Sequence, residues 1–158
     1  MTPGVAFFYG GLVKAKSVIS MMMMSFGALG LISVLWVLYG FNMSAVGNTW
    51  EFAGNPFSDF GMMALAGDNE ALVGATFGAT FAIITVALVS GAIADRAKFG
   101  SWMIFAGVWA TFVYFPVAAW VWGGGWILNL GESMGLPSVI DYAGGTAVHI
   151  NAGAAALA

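Results

Sequence analysis

The chain has 158 residues, of which 61% are apolar and only 7% charged, against roughly 45–50% and about 25% in an ordinary soluble domain. Four basic and seven acidic residues cannot clothe the water-facing surface of a domain this size. That excludes a soluble globular fold, and the high hydrophobicity excludes a disordered chain. A mean hydropathy of +0.93 says that the solvent is lipid. The absence of cysteine removes disulfides, thiolate metal sites and thiol nucleophiles. A net charge of −3 without a continuous basic patch argues against a nucleic-acid partner.

A bilayer-spanning helix needs roughly 20 mostly apolar residues, and on that scale the chain reads as an all-α integral membrane protein. Residues 1–13 are apolar but only about half a span long. Residues 18–42 form a full span, the charge-free run from Ser20 to Met24 leading into Phe26 to Phe41. The polar stretch from Gly47 to Glu70 carries Glu51, Asp59, Asp68 and Glu70. Residues 71–94 make a second full span, closed by Asp95-Arg96-Ala97-Lys98, and residues 101–122 a third. Gly123 to Ile140 is a Gly-rich connection, and residues 141–158 begin another span. Met1 and Ala158 both fall within apolar runs, and the start lacks the basic region and cleavage site of a signal peptide. The chain is therefore expected to be truncated at both ends.

Basic residues set orientation. Lys14 and Lys16 follow the first segment, Arg96 and Lys98 follow the third, and the connections between carry no Lys or Arg. The alternation places those four residues on the cytoplasmic side and the acidic loop outside. Residues 141–158 then start from the outer side. Gly74-Ala75-Thr76-Phe77-Gly78 is a GxxxG, and small residues recur at Gly27, Gly30, Gly91, Gly144, Gly145 and Gly153, where helix backbones are expected to approach closely.

Ionisable residues inside a span are functional candidates because of their desolvation cost. Asp141 stands at the outer start of the last segment and His149 eight residues further in. At about 1.5 Å per residue, His149 is expected roughly 12 Å below Asp141, near the midplane of a hydrocarbon core of about 30 Å. Asp141, Gly145, His149 and Gly153 recur every four residues and are expected to form one slowly drifting stripe, with open space around the imidazole. Such a histidine is either a pathway residue or a core residue donating to a neighbouring carbonyl. A metal site needs further ligands, and there is no second His and no Cys. Asp141 also reads as a helix cap, satisfying free amide groups and complementing the dipole. Phe77 and Phe81 share a face in the outer half of their span, and Trp122 ends the next span beside Gly123-Gly124-Gly125. A Trp face near a carboxylate favours a small cation; the same residues also suit a membrane-interface anchor and plain packing.

The run Asp141-Tyr142-Ala143-Gly144-Gly145-Thr146-Ala147-Val148-His149-Ile150-Asn151-Ala152-Gly153 closely resembles the signature of the ammonium transporter (Amt/Mep/Rh) family. Residues 1–13 resemble the family's first transmembrane helix without its beginning. Phe81 to Leu88 with Gly91 to Arg96 resembles its third, and Val121 to Gly125 the end of its fourth. The combination looks closest to the bacterial Amt branch.

The resemblance implies the first of two inverted repeats of an eleven-helix protomer, assembled as a homotrimer in the cell membrane with one pore per subunit. It implies that Trp122 belongs to an outer ammonium recruitment site, that Phe81 is one of two stacked phenylalanines beneath it, and that Phe77 is its helical neighbour. It also implies that Asp141 holds the outer site together and that His149 is one of two pore histidines. The remaining pore residues are expected in the second repeat. Ammonium or ammonia is then the substrate and no cofactor is expected. A PII-type regulator at the cytoplasmic face is a further implied partner. An ammonium sensor built on the same fold is the alternative. An enzyme is excluded by the single His, the missing Cys and the lack of an ionisable partner other than Asp141.

Overall fold

Apolar helix formers and few interruptions dictate helices, and helices are what the computed structural model contains. It describes Met1–Ala158, with no strand among them. α1 runs Thr2–Leu12, with a proline in its first turn where a missing N–H costs nothing. α2 runs Ala15–Met43, α3 Asn69–Ile93 and α4 Phe99–Val121, of 29, 25 and 23 residues. At about 1.5 Å per residue each exceeds a hydrocarbon core of about 30 Å. These three are long and apolar enough to cross a membrane. α5 is the single turn Leu130–Ser133 within the Gly-rich connection, and α6 covers residues 145–157.

α2 is the hub, packing on α1, α3 and α4, while α6 lies against α3. Met24, Ala28, Ile32 and Trp36 recur every four residues and are all buried, so one face of α2 is core. It meets Ala82, Val86 and Val89 of α3 and Trp102, Ala106 and Trp109 of α4. In lipid no hydrophobic effect drives helices together, so polar side chains staple them. Trp102 Nε1 donates to the Met24 carbonyl at 2.9 Å, tying α4 to α2. Trp36 Nε1 donates to the Ala75 carbonyl at 3.0 Å, tying α2 to α3. Tyr9 donates to the Leu88 carbonyl at 3.2 Å, tying α1 to α3.

The two ends differ in charge. Ser17 and Ser20 meet Asp95 and Ala97 around one small cavity, so Lys14, Lys16, Arg96 and Lys98 all lie at that end. At the other end, Val46 N–H donates to the Gly123 carbonyl at 2.9 Å. There Trp120 Nε1 also donates to the Phe52 carbonyl at 2.9 Å. The chain leaving α2 is thus bound to the start of the glycine-rich connection, and the acidic connection to the end of α4.

Three helices contain a widened, π-helical turn: Trp36–Gly40, Ala110–Tyr114 and Gly145–Ile150. One has a visible cause, because Pro116 lacks an N–H and its ring crowds the preceding turn. The widened turn just before it, with Phe115 N–H bonding the Ala110 carbonyl, absorbs the defect.

The GxxxG behaves differently from the packing motif expected. Gly78 does take a neighbour, and a Cβ there would lie 2.9 Å from the Trp36 ring; at Gly74, Gly30 and Gly153 a Cβ would meet nothing within 4 Å. Gly74, Phe77, Gly78 and Phe81 instead share the α3 face that lines a cavity. Within this motif the small residue marks close approach only where a large side chain is aimed at it.

Candidate functional site

A cavity of about 420 Å³ opens at the acidic end, between α2, α3, α4 and the segment ahead of α6. Its lining includes Phe77, Phe81, Trp122 and Asp141, so four of the five residues singled out in the sequence meet there. The Phe77 and Phe81 rings are 5.0 Å apart and edge-on, and Phe81 and Trp122 are 5.4 Å apart. Helical spacing alone pairs the two phenylalanines. Bringing Trp122 onto Phe81 requires α4 to cross α3 near its outer end. Phe81 is half-buried, whereas Phe77 is 65% exposed at the rim.

Asp141 is where structure and sequence diverge most. It lies outside α6, in the connecting segment, and its carboxylate folds back over the helix start. Oδ1 accepts from Gly144 and Gly145 N–H at 2.8 Å each. Oδ2 accepts from Thr146 and Ala147 N–H at 2.9 and 3.0 Å. A helix start leaves its first amides without intrahelical partners, and one carboxylate takes up four of them. Gly144 makes this geometry open to the chain, with a φ of +89° that a side chain would strain. Burial alone would raise the Asp141 carboxyl, but the four N–H groups outweigh it and hold its pKa below the usual carboxylate range.

Two expectations change as a result. Asp141 does not begin the helical stripe of Gly145, His149 and Gly153, since the stretch from 141 to 144 is not helical and the next turn is π-helical. The eight-residue rise used to place His149 below Asp141 therefore does not apply. Nor is the carboxylate a free counter-ion for a cation, because both its oxygens are engaged by amides. What Asp141 offers Trp122 is its backbone: Trp122 Nε1 donates to the Asp141 carbonyl at 2.9 Å, which orients the indole.

His149 stands apart from this cavity. It is exposed and lines a separate groove of about 380 Å³ with Gly4, Phe8, Ile84 and Leu88. The groove lies between α1, α3 and α6. One face of α6 is packed through the buried Ala147, Val148 and Ala152, leaving the His149 face uncovered. Among the further cavity residues that escaped the sequence reading are Trp36 and Tyr114. Each sits at an end of a widened turn, and hydrophobic periodicity carries no sign of such turns.

A three-helix membrane core with an aromatic cavity at its acidic end and an exposed histidine in a separate groove narrows the choice of kin. The family model described as "Ammonium Transporter Family" matches residues 1–158. The chain belongs to the ammonium transporter family. An ammonium transporter of Mycobacterium tuberculosis (strain ATCC 25618 / H37Rv) is 49% identical over 186 aligned positions, covering 99% of this chain and 38% of that protein. One of Aquifex aeolicus is 44% identical, covering 98% of this chain and 36% of that protein. Among solved structures, Candida albicans Mep2 superposes with a TM-score of 0.79 at 31% identity, covering 99% of this chain and 34% of that one. Saccharomyces cerevisiae Mep2 gives 0.78 at 30% identity, with the same coverage. This ammonium transporter family chain thus spans under two-fifths of the length of these relatives.

Proposed function

We propose that the full-length transporter carrying this sequence moves ammonium or ammonia across the membrane, through a path that begins at the aromatic cavity. The observation that carries the reading is the contact of Trp122 with Phe81 at 5.4 Å in a cavity whose one lining carboxylate is occupied by amides. Such a mouth attracts a small cation through ring faces and offers it no carboxylate oxygen free of amide partners.

Ammonium and potassium are similar in size, so the mouth alone does not separate them. Ammonium can give up a proton, and neutral ammonia enters an apolar path at far lower desolvation cost than an ion. Potassium keeps its charge. In this reading ammonium is deprotonated beneath Trp122 and Phe81, and ammonia continues past His149, whose imidazole both donates and accepts hydrogen bonds. The proton leaves to water at the mouth or moves along the imidazole. Family membership supports a homotrimer, and the basic end with Lys14, Lys16, Arg96 and Lys98 is where a PII-type regulator would dock.

The test is solid-supported-membrane electrophysiology on proteoliposomes holding the full-length transporter, comparing ammonium with potassium pulses. A current with ammonium and none with potassium is expected. If no current appears, an internal-pH dye in the same vesicles reports electroneutral ammonia entry. Silence in both assays overturns the reading.

A further inference from the structure

The cavity has a wall that Trp122 and the phenylalanines do not supply. Trp36 enters the lining from α2 and is 4% exposed. Two contacts on α3 locate its indole. Nε1 donates to the Ala75 carbonyl at 3.0 Å, and the six-membered ring rests on Gly78, where a Cβ would lie 2.9 Å from Cζ2. Residues 75 and 78 flank Phe77, and Phe81 follows within a turn. The indole therefore lies along the stretch of α3 that presents both phenylalanines to the cavity.

It is also packed against two further rings, of which Phe41 lines the cavity beside it. The Phe41 and Phe115 rings are each 5.9 Å from Trp36. Phe115 in turn fills the space at Gly40, where a Cβ would come within 2.5 Å of its ring. The widened turn Trp36–Gly40 sets the register, with Phe41 N–H bonding the Trp36 carbonyl. A ring tied at its nitrogen and packed against two aromatic rings is a fixed wall. Its N–H is spent on Ala75, so towards the cavity it presents ring surface and no donor. A wall of that kind distinguishes solutes by size and leaves their hydrogen-bonding pattern unread.

We propose that Trp36 is a specificity-determining residue of the mouth, its indole seated on Gly78 and setting the width above Phe81 that limits alkylated ammonium cations. The inference rests on the ammonium transport reading and adds to it a residue and a criterion.

Full-length protein in proteoliposomes is tested with ammonium, methylammonium and dimethylammonium pulses. Trp36→Phe removes part of the wall and is expected to raise the methylammonium-to-ammonium current ratio by roughly tenfold, the scale on which a pocket resolves one methylene. Gly78→Ala acts in the opposite sense. Its Cβ would lie 2.9 Å from Cζ2 of the indole, which must shift; with its nitrogen tied to Ala75 and Phe115 packed on one side, the ring gives way towards the open cavity, so the ratio falls. A structural role alone would lower all currents together and leave the ratios unchanged, and that result in both variants overturns the proposal. So does a Gly78→Ala ratio that rises. Thermal unfolding in detergent checks that each variant is folded; if Trp36→Phe is not, the direction of the Gly78→Ala change decides. Absence of ammonium current in the unsubstituted protein is a separate failure, of the transport reading, and is seen before any variant is compared.

Discussion

The aromatic mouth and the His149 groove belong to the same small fold and are built on opposite principles. At the mouth, polar atoms are used up internally: Asp141 accepts four amides, Trp122 donates to the Asp141 carbonyl, and Trp36 donates to Ala75. In the groove, His149 is exposed among Gly4, Phe8, Ile84 and Leu88. The difference separates two kinds of requirement. A helix start leaves its first amides without intrahelical partners, so the groups that shape the mouth are committed to the fold. In the proposed transport role His149 keeps its nitrogens for the solute, and an exposed side chain contributes little to stability.

Stability and transport should therefore come apart along the chain, with substitutions ordered by how many internal bonds each removes. Asp141→Ala should have the largest effect. It frees four amides at once, and losing a cap of this kind costs about 1–2 kcal/mol even where water can substitute. A lowered unfolding temperature in detergent, together with loss of ammonium current, is expected; an unchanged temperature would mean that the α6 start is held by something else. The pH dependence has a defined sign. Because the folded-state pKa of Asp141 is depressed, its contribution is fully present above the ordinary carboxylate pKa and is lost as pH falls through the depressed value. Asp141→Asn should lack that acid limb in an unfolding series run from neutral to acidic pH.

Trp122→Leu comes next. One hydrogen bond is lost, about 1 kcal/mol, while a cation–π contact of about 0.5–2 kcal/mol disappears from recruitment. The ammonium concentration at half-maximal current should rise by roughly twofold to thirtyfold. An unaltered half-saturation would remove the cation from the Trp122 face. His149→Ala should reverse the pattern. Ammonium flux falls or discrimination against potassium relaxes, yet the unfolding free energy stays within about 0.5 kcal/mol, as for other exposed positions. A large loss of stability there would turn His149 into a packing residue and erase the contrast.

The smallest expected change is at Gly30, where a Cβ would meet nothing within 4 Å. Gly30→Ala should leave stability unchanged or raise it by up to about 1 kcal/mol, the helix-propensity gain. Destabilisation would reveal that another surface packs on that face of α2. Gly40→Ala is its counterpart, since its Cβ would strike the Phe115 ring, and it should unfold at a lower temperature.

Much of this was legible in the linear pattern. Runs of apolar residues between Lys14 and Ser44, Glu70 and Asp95, and Lys98 and Gly123 leave little choice but spanning helices. The placing of four basic residues in two alternate connections implied the end-to-end charge asymmetry. Phe77 and Phe81 were readable as one face. Asp141 was readable as a cap, though its carboxylate was expected at the head of a stripe with His149 and found folded over four amides ahead of the helix. Gly74 and Gly78 illustrate a different limit. The motif is symmetrical in sequence, but Trp36 is aimed at only one of them.

By itself the sequence determined the solvent, the helical class, the presence of three helices long and apolar enough to cross a membrane, and the residue types available for chemistry. Those follow from composition and from periodicities that one helix can express alone. Tertiary structure decided which aromatics share a cavity, that both Asp141 carboxylate oxygens are engaged by amides, and that Trp36 and Phe41 are the α2 aromatics that line the mouth. These depend on where helices cross and where a turn widens from α to π. Such a turn shifts every later side chain around the helix, and only packing against neighbours reveals it.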